Sequence, residues 1–242
     1  MTSWTNEAAV EQWGAVPREL LEQTALDGDF PKRHLINPVV LRLLGDVAGR
    51  RVLDAGSGNG YLSRMLVDRG ADVVGVEPGQ SLFDFAVEHE GAQPRGVRYV
   101  RADLCALPDL GEPFDLVVAS MVLQSVPDWV GALRACLGVL RPGGLFVFTL
   151  NHPCFEQLGR SWREHGEYRT RRYLSEYEIP GPSATDFHRT LSAYVNQVVA
   201  LGGQLVELCE PALPPELVAA GPEESAAYVE LPNFLVVAAR KT

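Results

Sequence analysis

Residues 51–66 read RVLDAGSGNGYLSRML, and the order of residue types in them decides the fold. A short apolar run ends in Asp54, glycines follow at 56, 58 and 60, and apolar residues then return at helical spacing. That succession predicts a buried strand, a tight turn and an amphipathic helix. Glycine suits such a turn because side chains would block left-handed backbone angles and hold a ligand away from the main chain. A dinucleotide fingerprint reads G-x-G-x-x-G, its third glycine packing helix on strand. Tyr61 stands in that place here. The turn therefore points away from a pyrophosphate and a nicotinamide oxidoreductase, towards a ligand of smaller charge. The same glycines would also suit a plain strand-to-helix connection.

Outward from this segment, strand-like runs at 51–55, 72–77, 97–101, 114–120 and 145–150 alternate with helical periodicity. Alternation of this kind implies parallel strands joined by right-handed crossovers. The runs FDLVVAS (114–120) and LFVFTL (145–150) are almost continuously apolar, as central strands covered on both faces are. The rhythm breaks for about forty residues after Leu150, resumes as a helix from Thr190 to Gly202, and closes with strands at 204–210 and 233–240. A Pro- and Glu-rich connection, 211–232, separates those two.

Composition narrows the function. The 242 residues are 46% hydrophobic, enough for a sizeable core in one domain. A net charge of −10 argues against a nucleic-acid substrate, which needs clustered Lys and Arg. No apolar run approaches a bilayer span and no secretory pattern opens the chain, so a cytoplasmic location and no membrane partner are expected. Cys105, Cys136, Cys154 and Cys209 lack metal or redox spacing, and no metal site is expected.

The acid, one residue and three alternating glycines of DAGSGNG resemble the first motif of the class I S-adenosylmethionine-dependent methyltransferases, and the resemblance extends over roughly 47–240. It implies an α/β, Rossmann-like seven-stranded sheet, mostly parallel, with an antiparallel C-terminal hairpin and helices on both faces. It also implies one domain: an N-terminal helical lid (1–46), a cofactor-binding core (47–150), a substrate cap inserted after the fifth strand (151–189), and a C-terminal helix and hairpin (190–242). The implied cofactor is S-adenosyl-L-methionine, leaving S-adenosyl-L-homocysteine as product. Residue by residue, Asp54, Gly56, Ser57 and Gly58 would hold its methionine part. Glu77, 23 residues beyond Asp54, and Pro78 would meet the ribose. Asp103 and Leu104 of RADLCALP would meet the adenine, and Ser120 and Met121 would lie along the cofactor. Gly79 replaces a helix-capping Ser or Thr of many relatives, at some cost in helix stability.

The acceptor is less legible. Methyl transfer from a sulfonium mainly requires placement and exclusion of water. Where a proton must leave, histidine is well matched to neutral pH. His152 in LNHPCF and His188 in DFHRT are the expected bases, or else structural histidines of the cap. Gln124, Trp162, Tyr168 and Tyr173 are the expected substrate contacts, with Trp4, Trp13 and HLINP (34–38) closing over the cofactor, though aromatics of this kind also serve simply as cap packing. Segment 160–172 carries +3 against −13 for the remainder: an anion site, or, as we favour, a solvated face. The expected reaction is O- or N-methylation of a small molecule by a monomer or homodimer. A cyclisation on the same fold, or a non-catalytic partner subunit, are the alternatives.

Overall fold

The computed structural model describes residues 4–181 and 184–242. Strands β1 (Arg51–Ala55), β2 (Asp72–Val76), β3 (Arg98–Val100), β4 (Phe114–Ser120) and β5 (Leu140–Asn151) pair in parallel. A separate antiparallel ribbon, β6 (Tyr177–Pro180) with β7 (Thr185–His188), lies in the cap. Then β8 (Gly203–Cys209) and β9 (Phe234–Lys241) join the main sheet antiparallel, giving the order β3-β2-β1-β4-β5-β9-β8. The seven-stranded sheet with a C-terminal hairpin is the one expected.

Alternate residues of each central strand enter opposite layers, as a period of two dictates. Val52, Leu116, Val118, Val147 and Val236 face one helical layer, with Leu35, Val40, Leu62 and Leu66. Leu53, Val117, Phe146, Phe148 and Val237 face the other, with Leu133, Leu137, Tyr194 and Val198. Each large side chain so buried contributes roughly 1.5–3 kcal/mol by leaving water. The helices supplying these layers are α3 (Asn37–Leu44) and α4 (Tyr61–Val67) on one face, and α6 (Trp129–Gly138) and α8 (Leu191–Ala200) on the other. Ahead of them, α1 (Asn6–Trp13) and α2 (Arg18–Gln23) pack against α5 (Gln80–Ala92) through Val16, Leu21, Leu82 and Phe85.

Three local differences from the sequence reading have physical causes. β5 starts five residues early, because Pro142-Gly143-Gly144 forms an irregularity within the pairing to β4, with Gly143 at φ 75°. The break after Leu150 contains α7 (Leu158–His165) and the β6–β7 ribbon, both too short to show periodicity. The 211–232 connection holds two 3-10 segments, Pro215–Ala220 and Glu223–Val229, the second burying Ser225, Ala227 and Tyr228.

Candidate functional site

A cavity of about 490 Å³ opens beyond the carboxyl ends of β1, β2 and β4, where open α/β sheets bind ligands. Its floor comes from the segment that decided the fold. Asp54, at the end of β1, is buried and accepts the Ser63 hydroxyl at 2.6 Å. Burial pushes its carboxyl up to about 6 against the pull of that hydrogen bond.

The three glycines have different tasks. A Cβ on Gly56 would stand 2.5 Å from Val122 Cγ2, and one on Gly60 would collide with the Tyr99 hydroxyl, so both are required by packing. Gly58, at φ 56°, has no heavy atom within 4 Å of an added Cβ, and it lines the cavity. Only at Gly58 does the missing side chain leave open space for a ligand. Asn59, between Gly58 and Gly60, donates to the Leu21 carbonyl at 3.0 Å and the Thr24 hydroxyl at 2.9 Å, fastening the α2 region to this turn.

Glu77 follows β2 and is buried. Its two carboxylate oxygens accept the Gly58 N–H at 2.9 Å and the Gly79 N–H at 2.8 Å. Burial raises its carboxyl to about 7, partly offset by those two bonds. Gly79 is explained here, since a Cβ would lie 2.9 Å from Glu77 Oε1 and 3.3 Å from the Gly14 nitrogen of the lid. Asp103 caps the 3-10 turn Leu104–Ala106 by accepting the Cys105 N–H at 2.8 Å, and its other oxygen accepts from Asn6 of α1 at 3.1 Å. Pro78 and Leu104 complete this part of the wall.

Ser120 and Met121 continue the wall after β4. Met121 is held at φ 61°, a costly conformation for a side chain with a Cβ, by donating to the Thr149 hydroxyl at 2.9 Å. Ser57 Oγ, Ser120 Oγ and Gln124 Oε1 are buried polar atoms of this wall with no hydrogen-bond partner among the described residues. Native interiors rarely leave such atoms unmatched, so they mark the wall of a polar ligand site. The described charged residues of the wall are five acids, Asp29, Asp54, Glu77, Asp103 and Asp186, and one cation, Lys32. That balance repels phosphates and suits S-adenosylmethionine, whose sulfonium and ammonium outnumber its carboxylate.

The cap is arranged differently from the sequence reading. His152 is buried, accepts the Cys154 N–H on Nδ1 at 3.1 Å and meets Glu210 through Nε2 at 2.7 Å. With Nδ1 accepting, Nε2 bears the proton, and neither nitrogen remains for a substrate. His188 is buried too, donates from Nε2 to the Tyr173 carbonyl at 2.8 Å, and stacks on Tyr177 at 4.6 Å. Neither histidine lines the cavity. Trp162 packs into the core beneath α7, Tyr168 packs on Phe155, and the Tyr173 hydroxyl accepts the Leu191 N–H at 3.0 Å. These three are also absent from the cavity wall; their flat faces are spent on holding the cap together. Of the expected acceptor contacts only Gln124 reaches the cavity.

In the lid, Trp13 lines the cavity while Trp4 meets Phe187 edge-on at 6.1 Å. Within HLINP, Leu35 and Ile36 enter the core, and Asn37 accepts the Tyr61 hydroxyl at 3.1 Å. The arginines of segment 160–172 are largely exposed, and Arg160, Arg163 and Arg169 pair with Glu164, Glu224 and Glu167.

Sequence reasoning missed Asn6, Asn59, Asp186 and Arg189. Buried Arg189 donates to the carbonyls of Leu123, Val126 and Pro127 at 3.1, 2.8 and 3.3 Å, holding the loop after β4. Asp186 gave no local signal, because a strand as short as β7 shows no alternation.

Floor, acidic wall and strand-end positions together define a Rossmann-like protein with a site for a cationic nucleoside. Comparison with known proteins makes this specific. Residues 53–148 match the family model described as a methyltransferase domain. The chain is 36% identical over 128 residues to a ubiquinone biosynthesis O-methyltransferase of Coxiella burnetii, covering 51% of this chain and 55% of that protein. A protein of the same name from Idiomarina loihiensis is 34% identical over 160 residues, covering 61% and 66% respectively. The chain thus spans little more than half the length of the first of these relatives. The crystal structure of an S-adenosylmethionine-dependent methyltransferase from Mesorhizobium loti aligns with a TM-score of 0.72 at 29% identity, over 84% of this chain and 96% of that one. The chain belongs to the class I S-adenosylmethionine-dependent methyltransferases.

Proposed function

We propose that this protein transfers the methyl group of S-adenosylmethionine to an oxygen or nitrogen of a small-molecule acceptor, working as one domain with a lid (1–46), core (47–150), cap (151–189) and C-terminal unit (190–242). The observation that carries the proposal is the cavity wall, with its excess of carboxylates and its buried, unpartnered Ser57, Ser120 and Gln124 atoms. Bound cofactor supplies an electrophilic methyl group on a good leaving group. Asp54, Gly56, Ser57 and Gly58 surround its methionine part, Glu77 and Pro78 its ribose, and Asp103 and Leu104 its adenine, with Ser120 and Met121 alongside. Ionised Glu77 has lone pairs left beyond its two backbone bonds to accept both ribose hydroxyl protons. Gln124 belongs to the acceptor's side of the cavity.

With both histidines committed to the cap, neither serves as the base, and positioning and exclusion of water by α1 and α2 contribute to the rate enhancement. The names of the curated relatives support oxygen over nitrogen as the acceptor atom. Among the described residues no helix is long and apolar enough to cross a membrane.

The test combines calorimetry with S-adenosylmethionine and S-adenosylhomocysteine and mass spectrometry of products. Micromolar affinity and release of S-adenosylhomocysteine are expected. Absence of binding overturns the cofactor assignment. Conversion of an acceptor with the cofactor left intact overturns methyl transfer in favour of a reaction such as a cyclisation.

A further inference from the structure

Two acids of the cavity wall, Asp29 and Asp186, have no part in the cofactor assignment, and Asp29 already has a cation, Lys32, at 3.8 Å. Asp186 comes from β7 of the cap, not from the carboxyl edge of the main sheet. The Ser125 hydroxyl donates to its Oδ1, and Asn151 Nδ2 donates to its Oδ2 at 3.1 Å. Ser125 sits in the loop after β4 and Asn151 is the last residue of β5, so the carboxylate is pinned from two adjacent central strands. Such bracing fixes a side chain to within the tolerance that chemistry demands.

Asp186 is nevertheless left with bonding capacity. A carboxylate offers about four lone-pair sites, and two donors use only two of them. The nearby Arg189 is committed to three loop carbonyls, and Asp186 makes no ion pair among the described residues. Much of the rest of this wall is apolar, including Val122, Val126 and Pro127. A half-buried carboxylate in apolar surroundings without a cation is costly unless a further donor meets it.

On the methyl-transfer reading above, we propose that Asp186 accepts the hydrogen bond of the acceptor's O–H or N–H group and takes its proton during transfer. The new C–O or C–N bond forms as the methyl–sulfur bond breaks, that bond's electron pair stays on sulfur, and the O–H or N–H proton passes to the Asp186 carboxylate. The site so defined takes a small apolar body bearing a hydroxyl or amine. Anionic acceptors are excluded, because five carboxylates already line the wall.

The test uses wild type, Asp186→Asn and Ser125→Ala, each saturated with S-adenosylhomocysteine, and four probes: 4-ethylphenol, 4-ethylaniline, 4-ethyltoluene and 4-ethylbenzoate. Calorimetry is expected to show 4-ethylphenol and 4-ethylaniline binding wild type about tenfold more tightly than 4-ethyltoluene, with 4-ethylbenzoate weakest. In Asp186→Asn the preference should fall below about threefold, while S-adenosylhomocysteine affinity stays within about twofold and so reports an intact fold. Ser125→Ala keeps the carboxylate but removes one of its two braces, so its preference should fall between those of wild type and Asp186→Asn. Any probe that wild type methylates should react about a hundredfold more slowly in Asp186→Asn. Donor probes no tighter than 4-ethyltoluene, a preference surviving in Asp186→Asn, or equal methylation rates overturn the assignment. Failure of wild type to bind S-adenosylhomocysteine overturns instead the cofactor reading beneath it.

Discussion

Asn6 donates to the Asp103 carboxylate at 3.1 Å while its own side-chain oxygen accepts the Asp128 N–H at 3.0 Å. One lid residue thus joins the strand-end acid assigned to adenine with the N-cap of α6. Asn6→Ala should speed hydrogen exchange throughout α1 and weaken S-adenosylmethionine binding by about three- to tenfold, as loss of one or two hydrogen bonds does. Unchanged exchange and affinity would show that the lid is held by its apolar contacts alone.

The glycines of the turn should separate by phenotype. Gly56→Ala and Gly60→Ala drive a methyl into Val122 and Tyr99 and should cost about 2 kcal/mol or more in denaturant unfolding. Gly58→Ala meets no protein atom; it should cost only about 1 kcal/mol for its left-handed backbone, yet lose more cofactor affinity per unit of stability than the other two. Equal losses of stability at the three positions would contradict this division.

Glu77 gives the apo-protein a pH signature. Its carboxyl titrates at about 7 in the fold against the ordinary 4.5 of a solvated glutamate, so the folded form binds the proton more tightly. Stability from this group is therefore present below the unfolded value and lost as pH rises to 7, a change on the order of 3 kcal/mol. Unfolding of wild type and Glu77→Gln between pH 5 and 8 should show wild type losing ground to the variant. Cofactor affinity should run oppositely, falling as acid protonates Glu77. Parallel stability curves for the two proteins would remove Glu77 as their cause.

The cap histidines should affect stability ahead of cofactor binding. His152→Ala removes both bonds of a buried ring and should cost about 1–3 kcal/mol with cofactor affinity unchanged. Burial pulls the His188 imidazole down, but the Glu156 carboxylate and the Tyr173 carbonyl outweigh it and leave its affinity for a proton raised. Its stabilisation is complete below the unfolded value and fades as pH rises through the folded one. His188→Gln should therefore destabilise more at pH 5.5 than at pH 8.5, as thermal unfolding will show.

The floor of the cavity was legible because it is built at strand ends, and strand ends are marked by apolar runs stopping at Asp54, Glu77 and Asp103. The cap was not. His152 and His188 attracted attention as residue types, yet burial against Glu210 and Tyr177 directs both away from the cavity. Asp186 was hidden because β7 is four residues long, too short for alternation to declare which side chains point inward. Asn6 and Asn59 act across long sequence separations that no local pattern encodes.

Helix α1 touches both halves of the site, through Asn6 on Asp103 and through Gln12, whose side chain accepts the Thr185 N–H of the cap ribbon at 3.0 Å. One short helix therefore ties the acid-lined floor to the cap ribbon, so whatever displaces α1 loosens both walls of the cavity together.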